Sequence, residues 1–93
     1  MKASRFSFRV TIETENATGA VLAAYFQVRE GKSARVREYA GGSVFADYDK
    51  QGRLIGIEML GPCSPQVIDE IAQQERTKKF VRNNAPRDML VTA

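Results

Sequence analysis

The first sixty residues alternate between apolar and polar positions in short runs. From Arg5 to Glu13 every second residue is apolar, which is the period of a half-buried strand. Later runs of β-branched and aromatic residues, bounded by turn residues, predict further strands. The predicted strands cover residues 5–13, 20–29, 34–39, 43–48 and 53–60. Because the connections are short, we expect successive strands to pair as an antiparallel meander.

A helical pattern follows the last predicted strand. Ser64 and Pro65 favour a helix start, because serine accepts from unpaired amides and proline at the first helical position gives up no hydrogen bond. Helical spacing of apolar residues, with a stop before Pro86, predicts one helix over residues 64–83 and a tail over 84–93. We therefore expect a single α+β domain over residues 1–93. Its β-meander of about five strands spans residues 5–60, and the C-terminal helix packs on one face.

Composition narrows the range of possible chemistry. The 93 residues include no histidine and one cysteine, Cys63. The commonest general base and metal ligand is therefore missing, and no internal disulfide can form. The sequence predicts a protein that is not an enzyme, with no catalytic residue, metal or cofactor. It contains no run of signal-peptide or membrane-span length, so we expect a cytoplasmic protein without membrane contact.

The positive charge is concentrated near the C-terminus. The formal net charge is +3, and five basic residues against one acidic residue follow Glu75. The basic residues are Arg76, Lys78, Lys79, Arg82 and Arg87. With Phe80 among them, they could bind phosphates and stack a base. They could equally complement the negative end of the helix dipole and keep it soluble, with Phe80 in the core.

Four other residues have a chemical and a structural interpretation. Asp47 and Asp49 could serve a divalent cation or an acid/base pair, or they could bond the backbone of a turn. Glu58 could be a functional carboxylate, or it could form an ion pair with Arg35 or Arg37 or be partly exposed. Cys63, next to a predicted helix start, could be a reactive thiol or a half-buried linker residue.

Residues 24–60 carry a motif. It runs from Phe45 to Leu60 and contains Asp47, Tyr48, Asp49, Gly52, Gly56 and Glu58. With the preceding Ala24-Tyr25-Phe26-Gln27-Val28, it resembles the bacterial and archaeal domain-of-unknown-function family 2283. The resemblance implies a small β-meander with a short flanking helix, and structural roles for the motif residues. It implies no activity. The chain departs from the family in having no acidic residues at 16–19 and in its long basic C-terminal segment.

Self-association is the remaining expectation. The strands predicted at 20–29 and 53–60 carry apolar residues on both faces, and one helix covers one face. A second copy is the simplest cover for the other, so we expect a homodimer, with the tail folding back over that face as the alternative. The leading hypothesis is a non-enzymatic interaction module with an unknown protein partner. The alternatives are a nucleic-acid-associated, antitoxin-like regulator that uses the basic helix, and a carboxylate-dependent enzyme.

Overall fold

The structure is a computed structural model that describes residues 6–91. Arg5 and residues 92–93, which were assigned to the first strand and the tail, lie outside this range. The described chain forms a five-stranded sheet followed by two helices. The strands are β1 (Phe6–Thr14), β2 (Val21–Arg29), β3 (Arg35–Tyr39), β4 (Val44–Tyr48) and β5 (Leu54–Met59). All paired strands are antiparallel, which confirms the predicted α+β class and sheet type.

The strand order is β1-β2-β5-β4-β3. Strands β3, β4 and β5 form a meander and β1 with β2 forms a hairpin, but β2 pairs with β5 and not with its successor β3. Strand β5 has buried residues on both faces, including Gly56 and Ile57. A strand that is apolar on both sides is most stable at the centre of a sheet, and β5 holds that position.

The region predicted as one helix contains two. They are α1 (Pro65–Ile71) and α2 (Glu75–Asn84), and the backbone is extended between them at Ala72 (φ −89°, ψ 108°). An uninterrupted helix over residues 64–83 would be about 30 Å long. The bend at Ala72, which is fully buried, lets Ile68 of α1 and Val81 of α2 both enter the core.

The core lies between the helices and one face of the sheet. Its largest fully buried apolar side chains include Phe26, Ile57 and Met59. Beyond α2 the chain returns to the sheet end, where Met89 is 6% exposed. The amide of Cys63 donates to the Met89 carbonyl at 2.9 Å, and the Val91 amide donates to the Cys63 carbonyl at 3.0 Å. The segment after α2 is therefore part of the packed domain.

Candidate interaction surfaces

The sheet face turned away from the helices carries one hydrogen bond between motif residues. Tyr25 Oη donates to Asp47 Oδ2 at 3.0 Å, from β2 to β4 across the intervening β5. The tyrosine ring lies over Gly56, where a Cβ would stand 2.0 Å from the hydroxyl oxygen. Burial, the bond to Asp47 and the nearby charge of Glu58 all raise the pKa of Tyr25. Glycine at position 56 is therefore required by the tyrosine that crosses it.

Glu58 lies on this same open face, half-buried, opposite Tyr25 on one side and Phe45 on the other. The register places Arg37 opposite Ala46, which is fully buried on the helix side of the sheet. Residues two apart share a face, so Arg35 is on the helix side as well. The predicted ion pair of Glu58 with Arg35 or Arg37 is therefore wrong, because the two arginines and the glutamate are on opposite faces.

Asp49 organises the turn between β4 and β5. Its Oδ1 accepts hydrogen bonds from the amides of Gln51 (3.0 Å) and Arg53 (2.8 Å), and its Oδ2 accepts one from Arg53 Nε (2.9 Å). Gly52 supplies the left-handed residue of the turn (φ 81°). Burial acts to raise the pKa of Asp49, but the Arg53 and Gln51 contacts outweigh it and hold the pKa below its ordinary value.

The two aspartates consequently have separate tasks. Asp47 accepts from Tyr25 on the open face, whereas Asp49 binds its own turn. Within residues 6–91 no group of three or more Cys, Asp or Glu side chains is arranged to hold a metal ion. The turn interpretation is therefore confirmed for Asp49 and wrong for Asp47, which bonds a side chain across the sheet.

Tyr48, another aromatic motif residue, faces the helix side. Its hydroxyl lies 3.4 Å from that of Tyr39, and burial together with this contact raises the pKa of Tyr48 to about 12. Tyr48 also borders a hollow of about 220 Å³ at the break between the helices, lined in addition by Arg29, Arg53 and Thr77. Arg53 is already paired with Asp49, so its charge is compensated there.

The basic residues of α2 have different surroundings. Arg76 lies over the rings of Phe6 and Phe8, with its guanidinium carbon 5.1 and 5.7 Å from the ring centres. Phe80 packs against Phe8 (4.8 Å between ring centres) and Phe26 (5.9 Å). Phe80 therefore belongs to the core side of α2 and is not presented as a stacking platform for a base.

The outer side of α2 is where basic residues gather. Lys78, Lys79 and Arg82 border a shallow hollow that also includes Asp69 and Glu75. Arg82 forms an ion pair with Asp69. Arg87 lies elsewhere, in the segment after α2, beside Val21 and Leu60. The structure therefore brings together three of the five predicted basic residues and compensates part of their charge.

Cys63 is 5% exposed, and burial raises the pKa of its thiol. A protonated, covered thiol is a poor nucleophile. The environment of Cys63 accordingly matches the linker interpretation.

Strand β1 is a surface that the sequence did not single out. It forms one edge of the sheet over nine residues, and residues 11–14 are all exposed, with Ile12 at 41%. The other edge, β3, has five residues, three of them charged. Charge and shortness protect an edge from pairing with another strand, and β1 is the less protected of the two. The alternation of β1 is visible in the sequence, but its edge position depends on the pairing of β2 with β5.

These features define a small α+β domain in which the motif residues hold the sheet and its turn together. Residues 23–61 match the model of a family described as Protein of unknown function (DUF2283), which confirms the resemblance predicted from the motif over that part of the chain. The match runs from the third residue of β2 to just past the end of β5 and leaves out β1 and both helices. No curated protein and no solved structure matches the chain. Within residues 6–91, neither helix has the length and hydrophobicity needed to cross a membrane.

Proposed function

We propose that this protein is a non-enzymatic interaction module that acts as a homodimer. The observation that carries the proposal is the long exposed edge strand β1. An edge strand presents backbone N–H and C=O groups on its outer side, and a second strand can pair with them. Strand β1 contains no proline to prevent such pairing.

Exposed apolar side chains at one end of the sheet support association. Ile12, Val21, Leu22 and Leu60 are 41%, 37%, 51% and 48% exposed. The open face carries one exposed apolar residue, Val36 (57%), at its β3 edge, but it also presents polar groups such as Thr11, Asp47 and Glu58. A second copy stacked on that face would have to desolvate those groups, so contact along the edge is energetically preferable.

Sedimentation equilibrium across micromolar to millimolar concentrations tests the dimer. We expect a mass of twice the 10.4 kDa chain at the upper end. A mass of one chain at every concentration would contradict the homodimer. Turnover of a substrate by the purified chain in an activity screen would contradict the non-enzymatic assignment.

The grouping of Lys78, Lys79 and Arg82 supports one second candidate, a nucleic-acid-associated regulator. Filter binding of duplex and single-stranded DNA at rising salt concentration tests it. Under this candidate, Lys78→Ala/Lys79→Ala lowers retention more than Lys32→Ala/Lys50→Ala, which removes the same charge from loop positions. Absence of salt-sensitive retention at low ionic strength excludes nucleic-acid binding.

A further inference from the structure

We propose that two copies pair β1 against β1, antiparallel and centred on Thr11, so that the sheets join into one sheet of twice five strands. This inference specifies the interface of the proposed homodimer and therefore rests on it. It commits to a second copy of the chain as the occupant of the β1 edge.

The symmetry of such a pair restricts the possible registers. When a two-fold axis pairs two edge strands antiparallel, the helix sides of both copies lie on the same side of the joined sheet. Each β1 residue is therefore opposite a residue of the second copy whose side chain is on that same side. Arg9, Thr11 and Glu13 lie on the open face, since they pair with Gln27, Tyr25 and Ala23 of β2. Val10 and Ile12 lie on the helix side, opposite Phe26 and Ala24.

Charge complementarity selects one of these registers. When Thr11 faces Thr11 of the second copy, Arg9 faces Glu13 of the second copy, and the same pair occurs twice. A register centred on Val10 places Arg9 opposite Thr11. One centred on Ile12 places Glu13 opposite Thr11 and Arg9 opposite Glu15, which lies beyond the end of β1 and already accepts a hydrogen bond from Thr18. Registers centred on Arg9 or Glu13 put like charges face to face, which is destabilising.

The existing contact of Arg9 is compatible with this arrangement. Its guanidinium lies 3.5 Å from Glu30 Oε2, and both side chains are more than 60% exposed. Arginine has five N–H donors, so it can retain Glu30 and also bind Glu13 of the second copy. The weak solvent-exposed contact leaves Arg9 available for a second carboxylate.

Packing on the helix side agrees with the same register. Val10 faces Ile12 of the second copy, which covers the exposed Ile12 of each chain. Helix α2 packs on Phe8, near the start of β1. The two-fold axis places the second copy's α2 near the other end of the paired strands, since Phe8 then faces Thr14. The helices therefore lie diagonally across the joined sheet and do not overlap.

Charge reversal tests the register in solution. We expect Arg9→Glu and Glu13→Arg each to weaken dimerisation at least tenfold in sedimentation equilibrium, and the double variant to recover most of the loss. Glu38→Arg, a matched reversal on the opposite edge strand β3, leaves the dimer constant within twofold. Single variants with unchanged dimer constants, or a double variant weaker than both, overturn the register.

Disulfide formation gives an independent readout. Facing residues of antiparallel strands have Cα atoms about 4.5–5.5 Å apart, within the range that a disulfide spans. In a Cys63→Ala background, Thr11→Cys should form a covalent dimer under mild oxidation. Arg9→Cys alone and Glu13→Cys alone should not, whereas an equimolar mixture of the two should. Circular dichroism checks the fold of each variant.

The two proposals fail in different ways. A dimer in sedimentation that neither forms the Thr11→Cys disulfide nor responds to charge reversal overturns the β1 register and leaves the homodimer standing. A chain that stays monomeric at all concentrations contradicts both.

Discussion

The hydroxyl of Tyr25 reaches Asp47 by crossing the central strand at Gly56. The backbones of β2, β5 and β4 are joined by their ladders, and this side-chain bond adds a second connection above β5. The three residues lie far apart in the chain, yet each depends on the others. A larger residue at 56 displaces the ring, and loss of the ring leaves Asp47 without its donor.

The Tyr25–Gly56 relationship gives the first prediction. Gly56→Ala places a methyl group against the Tyr25 ring and should lower the free energy of unfolding by about 1–3 kcal/mol. In a Tyr25→Ala background the same substitution meets no ring, so its cost should nearly vanish. Urea unfolding of the four chains measures the coupling. Equal costs in both backgrounds would show that the ring is not the obstacle.

Acid sensitivity should depend on Asp49. The pKa of Asp49 in the folded chain is below the ordinary value of 3.8. Its contribution to the free energy of unfolding is therefore fully present above pH 3.8 and is lost as pH falls through the folded pKa. Asp49→Asn keeps the Oδ1 acceptor for the turn but does not titrate. We expect its free energy of unfolding to fall less than that of the wild type between about pH 5 and pH 2. Asp88→Asn, at an exposed position, is the matched control and should behave like the wild type.

Tyr48 should produce the opposite dependence at alkaline pH. Its pKa is about 12 in the folded chain against 10.0 as the ordinary value. A raised pKa means that Tyr48 loses its proton at lower pH in the unfolded chain than in the folded one. Its contribution to the free energy of unfolding is therefore fully present below pH 10 and decreases as pH rises toward 12. Tyr48→Phe removes this titration, and its free energy of unfolding should decrease less over the same interval. A profile that runs parallel to the wild type would contradict the assignment to Tyr48.

Local patterns predicted the strands and the turn chemistry. The alternation of apolar residues in β1 and the Asp49–Gly52 turn depend on neighbours in the chain, and both occur in the structure. The order of the strands depends on which strand is most apolar on both faces, because that strand, β5, takes the central position of the sheet. That order requires a comparison between distant segments, and the short connections between successive strands wrongly predict that β2 pairs with β3.

The position of several surface residues also depends on contacts between distant parts of the chain. The face of Arg37 follows from its register against Ala46, which no local pattern specifies. The helix breaks at Ala72 because Ile68 and Val81 are both buried against the same sheet. The residues between Ile68 and Val81 include no proline or glycine that would predict this break. The edge position of β1 depends on the pairing of β2 with β5, which the sequence of β1 does not specify.

The last prediction concerns the segment after α2 and the thiol that it covers. The Met89 side chain is 6% exposed and packs in the core, so the cavity left by Met89→Ala should lower the free energy of unfolding by about 2–3 kcal/mol. Loosening this segment opens the site locally, and Cys63 should react faster with a thiol reagent at pH 8. Val91→Ala is the control, because Val91 is 48% exposed and its backbone bond to Cys63 survives the substitution. A Met89→Ala chain that is destabilised but whose Cys63 reacts at the wild-type rate would mean that some other part of the fold protects the thiol.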